Sequence, residues 1–245
     1  MGCGTGQAVR DIQNKEWQDL SGWNGITLKE LLFRLTEQTG CEVRVYTVAT
    51  TRLDKESKVF RHLGSGPNLE GSLATLCTCK HSMRQNHSSA DWKGLWIIGL
   101  TSRAANKGFS GEHYLLYMMK IDQAFESHKE LHEYLKKYNG KSLKIKSAVR
   151  NPLGDVFEPV DICTNYIDPK MYKTPHKKHS HGYDGNTQWH DDIVYKNRSS
   201  PLLLGDIKNT FVWPKPMIKF KPNRGSGNMK LTLGEDLFNL LETSG

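Results

Sequence analysis

The sequence predicts an α+β fold: a small, curved or barrel-like mixed sheet with helices at its periphery. Three observations lead there. Strand-type runs share the chain with a few capped helices, regular βαβ alternation is missing, and no internal repeat is found.

The spacing of Val9, Ile12, Trp17 and Leu20 predicts a first helix. A second is predicted in ITLKELLFRLTEQTG. Thr27 caps it, Glu30 is the capping-box acid, Ile26 can staple onto Leu31, and Gly40 stops it. EVRVYTVAT (42–50) alternates and is β-branched, so it reads as a strand. Residues 52–72 are polar and Gly-rich, hence irregular. LWIIGL (95–100) is a continuous apolar run suited to a central strand. HYLLYMMKI (113–121) pairs with it as a hairpin.

FESHKELHEYLKKYNG repeats the helix grammar: Ser127 caps, Glu130 stands three residues on, and Gly140 ends it. DICTNYI (161–167), PLLLGDI (201–207), TFVWP (210–214) and MIKF (217–220) are shorter strand candidates. Pro214 and Pro216 place the last at an edge or kink. Residues 168–200 lack apolar periodicity and read as a long loop of the functional or disordered kind. Thr232 and Glu235 open a final short helix.

Composition narrows the function classes. With 245 residues, 37% hydrophobic and 24% charged, the chain can bury a core and is not a disordered type. No apolar stretch is long enough to span a membrane. The N-terminus lacks the apolar core of a secretory signal, and Gly6 stands where a myristoylation motif wants Ser or Thr. Five sparse cysteines point to a reducing, cytoplasmic setting rather than a disulfide framework. Thirty-four Lys and Arg against 26 Asp and Glu give a net charge of +8, which suits a polyanionic partner.

The basic residues cluster. Six fall between Lys136 and Arg150 and five between Lys215 and Lys230, with no acid in either run. Five more lie between Lys80 and Lys107 against Asp91 alone. Interleaved with aromatics, such runs suit phosphate neutralisation and base stacking.

The richest run for chemistry is HKKHSHGYDGNTQWHDD (176–192). His176, His179 and His181 match no tight zinc spacing, and Lys177 and Lys178 would repel a cation, so no metal and no cofactor are expected. Cys77 and Cys79 form a C-x-C without a second pair and read as structural. The 101–113 loop has neither Walker nor dinucleotide glycine spacing. No G-x-S-x-G elbow or H-E-x-x-H is present.

Three segments resemble the nucleotide modification associated domain family, bacterial and phage proteins linked by gene context to DNA base modification. In TLCTCKHSMR, Thr75, Leu76, Cys79, Lys80, Met83 and Arg84 fit the family pattern, with His81 where the family has Pro. In LWIIGLTSR and YLLYMMKID, Trp96, Ile97, Gly99, Ser102, Leu116, Tyr117 and Met119 fit. Gly94-Leu95 replaces the family's Gly-Asp, and Thr101 replaces its second Gly. HGYDGNTQW and PLLLGDIKNTFVWP resemble it more loosely. The order of elements is also similar to PUA-like β-barrels, a group that includes the EVE, ASCH and YTH modules. The resemblance implies an N-terminal helical extension (1–41), a nucleotide modification associated domain (42–221) and a C-terminal helical tail (222–245) on the same core.

The resemblance implies a link to modified nucleotides and leaves open whether the chain reads, makes or removes the modification. The leading reading is a module that recognises a modified base in DNA, RNA or a nucleotide, in DNA modification or phage defence. Lys80, Arg84 and Arg103 would hold phosphates. Trp96, Tyr117 and Trp189 would stack on the base, and Ser102, Asp184 and Asn186 would read its edge. The alternative is an enzyme on a nucleotide or base, a glycosidic-bond hydrolase or transferase. Asp184 and His190 would be its general acid and base, with His181 assisting. A third reading is an interaction or inhibitor protein in phage–host conflict.

Overall fold

A computed structural model describes residues 16–104, 108–109, 111–179, 189–221 and 228–244. In chain order the elements are α1 (Leu28–Leu35), β1 (Glu42–Val48), β2 (Thr51–Leu53), β3 (Phe60–His62), β4 (Thr75–Leu76), α2 (His81–Arg84), α3 (Ser89–Trp92), β5 (Trp96–Thr101), β6 (His113–Phe125), α4 (His128–Tyr138), α5 (Gly140–Lys146), α6 (His190–Ile193), β7 (Leu202–Val212), β8 (Ile218–Phe220), β9 (Met229–Thr232), α7 (Glu235–Phe238) and β10 (Leu241–Thr243).

The fold is mixed α+β, with a sheet curled into an open half-barrel and helices around it. The main path runs β10-β8-β6-β5-β1-β9, and β7 joins β6 and β4 beside it. All its pairings are antiparallel except β1 with β5. A parallel pair needs a crossover. Here residues 49–95 supply it, bringing β2, β3, β4, α2 and α3.

Alternation along the strands sorts the core into two faces. Tyr46, Val48, Ile97, Tyr117 and Met119 meet the crossover through Phe60, Leu69, Leu76, Met83 and Trp92. Val43, Val45, Trp96, Ile98 and Met118 meet Leu31 and Leu35 of α1 and Leu237 of α7. On β7, Leu203 joins the first face, whereas Leu202 and Leu204 meet Leu131 and Leu135 of α4.

The crossover turn before β4 is held by buried polar groups. Gln18 donates to the carbonyls of Gly64 (2.6 Å) and Pro67 (2.7 Å), and its oxygen accepts from Leu69 N–H. Lys146 of α5, wholly buried, donates to Asn68 O (2.8 Å), Asn68 Oδ1 (2.7 Å) and Glu70 O (3.1 Å). Each group satisfied here would otherwise be a buried unpaired donor or acceptor costing about 1–3 kcal/mol.

Several expectations need correction. Residues 17–20 are not helical; Gln18 bridges to His62 instead, and residues 9–15 of that span lie outside the described residues. Thr27 caps α1 as expected, but Glu30 reaches forward to Arg34 (2.7 Å) rather than back. Gly140 does not end the helical region. Asn139, with an extended φ of −151°, breaks it, and its side chain caps a new helix at Ser142 N–H. Residues 161–167 form bends and turns, with Ile162 exposed, because no neighbouring strand offers them a ladder. Residues 52–72 contain the β2–β3 hairpin. The two runs 201–207 and 210–214 fuse into one strand, β7. β8 is no edge: it pairs with both β6 and β10. The C-terminal tail is two strands around a four-residue helix, and its cap position is Gly234, not Thr232.

Two buried histidines carry a pH prediction. Phe157 N–H donates to His128 Nδ1, so His128 is the neutral Nε2–H tautomer and donates to Asp192 O (3.2 Å). His62 donates through Nε2 to Pro67 O (2.9 Å) while Thr50 Oγ1 donates to its Nδ1. Burial pulls His62 down from 6.5 to about 4 and His128 to about 3. Between those values and 6.5 the unfolded chain binds protons that the folded chain refuses, so stability falls as pH drops through this window. Burial pushes Asp155 up to about 6, which acts in the opposite sense over a narrower range. Each histidine contributes about 1.4 kcal/mol per pH unit where it titrates. Urea midpoints between pH 6.5 and 4 should therefore drop steeply, and His128→Gln should flatten the slope. A variant slope equal to that of the parent would contradict this assignment.

Candidate functional site

Two polar clusters meet at the Lys80–His81 step, where the crossover enters α2. The first lies on the sheet. Tyr46 of β1, Gly99 of β5 and Tyr117 of β6 are neighbours across three strands. Gly99 has no side chain, so the Tyr117 ring crosses over it and its hydroxyl meets that of Tyr46 at 2.7 Å. An added Cβ at Gly99 would lie 2.5 Å from Tyr117 Cδ1 and closer still to Cε1. Burial holds both phenols protonated far above the usual tyrosine range; Tyr117 and then Cys79 add to the shift at Tyr46. Lys80 takes a left-handed backbone conformation (φ 57°, ψ 36°) and sets its ammonium 4.9 Å from the centre of the Tyr46 ring. Such a conformation strains a non-glycine residue by about 1 kcal/mol or more, a cost seen most often where a side chain must be aimed.

The second cluster surrounds Asp192, only 3% exposed. His81 Nε2 lies 3.4 Å from Asp192 Oδ1, and His179 Nε2 lies 3.9 Å from Oδ2. The His81 ring, 7% exposed, stacks on Tyr195 with centroids 5.0 Å apart and planes 21° apart. Lys196 and Asn197 both have positive φ, and Tyr195 bridges to Arg198, which closes a tight turn. That turn places the Lys196 ammonium 5.4 Å from the Tyr195 ring centre. Gln85 ties the turn to α2 by donating to Tyr195 O (3.0 Å) and Ser199 O (3.2 Å).

The structure distributes the expected site residues unevenly. Lys80 and Tyr117 come together through Tyr46. Ser102 and Arg103 follow β5 at the sheet end where β1 also finishes, since Val48 pairs with Thr101. There Ser102 Oγ accepts from Ala104 N–H, and the exposed Arg103 closes its own loop on Gly111 O (2.6 Å). Trp96 is on the opposite face of the sheet, stacked on Phe211, because its position alternates with Ile97 and Gly99. Trp189 is buried against Phe157 (5.3 Å, 19°), with His190 edge-on to it, just before Asp192.

Arg84 is the clearest correction. It is fully buried and donates to the carbonyls of Cys79 (2.8 Å), Ser200 (2.9 Å), Pro201 (2.7 Å) and Cys77 (2.7 Å). A guanidinium enclosed this way holds main chain together and offers no face to a phosphate. Asp184, Asn186 and His181 lie outside the described residues. Among the described residues no group of three or more His, Cys, Asp or Glu is arranged to hold a metal ion, and no helix is long and apolar enough to cross a membrane.

Sequence reasoning did not single out Tyr46, His128 or Tyr195. Asp192 stood within the His- and Asp-rich run, and His81 stood out only as a departure from the family's Pro. Tyr46 sat on an alternating strand, where nothing local separates a site residue from core.

The model of the nucleotide modification associated domain 2 family matches residues 58–196, more than half of the chain, and the chain belongs to that family. Membership ties it to a role in nucleotide modification. The matched span contains Lys80, His81, Gly99, Tyr117, His179, Asp192 and Tyr195, while Tyr46 precedes it. No curated protein and no solved structure matches the chain.

Proposed function

We propose that this protein binds a modified base, in a nucleotide or nucleic acid, at the Lys80–His81 step, in a DNA-modification or phage-defence setting. The observation that carries the reading is the contact of two complementary clusters at adjacent residues. Lys80 supplies a cation aimed by its backbone, suited to a phosphate. Tyr195 supplies a half-buried ring backed by the His81 imidazole, suited to stacking, and the buried Asp192 carboxylate lies beside that imidazole.

The test is a thermal-shift and binding series with modified and unmodified nucleosides and their monophosphates. A modified member should outbind its parent. Tyr195→Ala should weaken nucleoside and nucleotide alike by about 1–3 kcal/mol, the range of one lost base stack. Lys80→Gln should weaken the monophosphates selectively. No response to any member of the panel would refute the reading.

A carboxylate between two imidazoles is also the composition of a general acid–base centre. Under an enzyme reading, His81, Asp192 and His179 would join His190, Asp184 and His181 as candidate acids and bases. Chromatography of a modified oligonucleotide after long incubation decides between them. A released base or a mass change that vanishes in Asp192→Asn would make the protein an enzyme.

A further inference from the structure

We infer that the exposed lysines of α4 and α5 form a docking ridge for a nucleic-acid backbone, so that the partner is a polynucleotide rather than a free nucleotide. This goes beyond base recognition and rests on different residues.

The three basic runs of the sequence have different fates in the fold. In the run from Lys215 to Lys230, Lys219 pairs with Glu112 (2.9 Å), Lys221 with Glu242 (2.6 Å) and Lys230 with Glu42 (2.6 Å). Three of the five basic residues of that run are thus neutralised within the chain. In the run from Lys80 to Lys107, Lys80 faces Tyr46, Arg84 is enclosed by carbonyls and Arg103 closes its own loop, which leaves Lys93 as a single exposed lysine without a salt bridge among the described residues. By contrast, Lys136, Lys137, Lys141 and Lys144 are exposed and join no salt bridge among the described residues. Glu133 precedes them on α4, and no further acid occurs before the buried Asp155. Arg150 and Lys173, nearby in sequence or space, are engaged by Glu158.

The ridge also carries an exposed ring. Tyr138 is 63% exposed, with the Lys137 ammonium 4.8 Å from its centre. Ile145 is the one exposed aliphatic residue in this stretch. That is too little apolar surface for a helix to lie in a membrane interface, whereas cations with one ring suit phosphates with a neighbouring base. Finally, one rigid element links ridge and site. His128, in the first turn of α4, donates to the main chain of Asp192, and Lys136 stands eight residues later on the same helix. At 1.5 Å per residue that is about 12 Å, the reach of a few phosphates along a strand.

The experiment compares two triple variants of equal net charge: Lys137→Gln, Lys141→Gln, Lys144→Gln on the ridge, and Lys219→Gln, Lys221→Gln, Lys230→Gln in the paired run. Each is titrated against a fluorescein-labelled DNA duplex and single strand over a salt series, below the melting temperatures of both variants. The ridge variant should lose about tenfold or more in affinity at low salt. Its log–log salt dependence should shallow by about 2–3, because counterion release scales with the phosphates contacted. The paired-run variant should lose much less. Equal losses would show that net charge alone drives binding and would overturn the ridge. So would unchanged oligonucleotide binding combined with lost binding to phosphatidylserine vesicles. Response of the ridge variant to the nucleoside panel is read separately and bears only on the base site.

Discussion

Arg84→Ala is expected to lower unfolding stability by about 3 kcal/mol or more, because each buried carbonyl left unpaired costs about 1–3 kcal/mol. The guanidinium joins Cys77 and Cys79 at the mouth of α2 to Ser200 and Pro201 before β7, so its loss strands four carbonyls at once. Arg84→Lys recovers less than half of this, because an ammonium lacks the planar fork that reaches carbonyls on opposite sides. Against a typical total of about 5–15 kcal/mol, the alanine variant has little reserve left. Urea denaturation measures it. A variant with parental stability that loses only nucleotide binding would return Arg84 to the role of phosphate ligand.

Gly99→Ala is expected to cost about 3 kcal/mol or more, as overpacking does where neighbours have no room to yield. The new methyl would occupy the edge of the Tyr117 ring, and Val48 Cγ2 at 3.0 Å closes the other side. Tyr117 would have to leave, breaking its hydroxyl contact with Tyr46 and the ring contact beside it. Tyr117→Ala alone costs about 3–5 kcal/mol as a large cavity. The double variant should cost clearly less than the sum, since the methyl then enters space the ring has vacated. Simple additivity would show that the two residues do not share that space.

Much of the sheet was legible because its signals are local. The alternation of 42–50, the apolar run 95–100 and the caps at Thr27 and Ser127 are each written within a few residues. What escaped depended on distant partners. Residues 161–167 have strand composition but no ladder to join, whereas β9 and β10 look like tail and become strands because β1 and β8 offer edges. The same holds at the site. Lys80 and Tyr117 stood out within family motifs, but Tyr46 acquires its place only through the register that sets it beside Gly99. Arg84 matched a motif as well as Lys80 did. Which of the two faces solvent is decided by the carbonyls of residues 200 and 201, more than a hundred positions away.

The family signature stops short of the strands that complete the sheet, and on its N-terminal side the break falls at the parallel junction of β1 and β5. Residues 58–196 keep β5 and β6 but exclude β1 on one flank and β7 and β8 on the other. An excised fragment with those limits would present two bare hydrogen-bonding edges and the apolar face that α1 and α7 normally cover. Unshielded edges of that kind template association between chains. A fragment cut at the family boundaries should therefore collect as insoluble aggregate, and any dissection of this protein has to begin upstream of Glu42 and continue through Thr243.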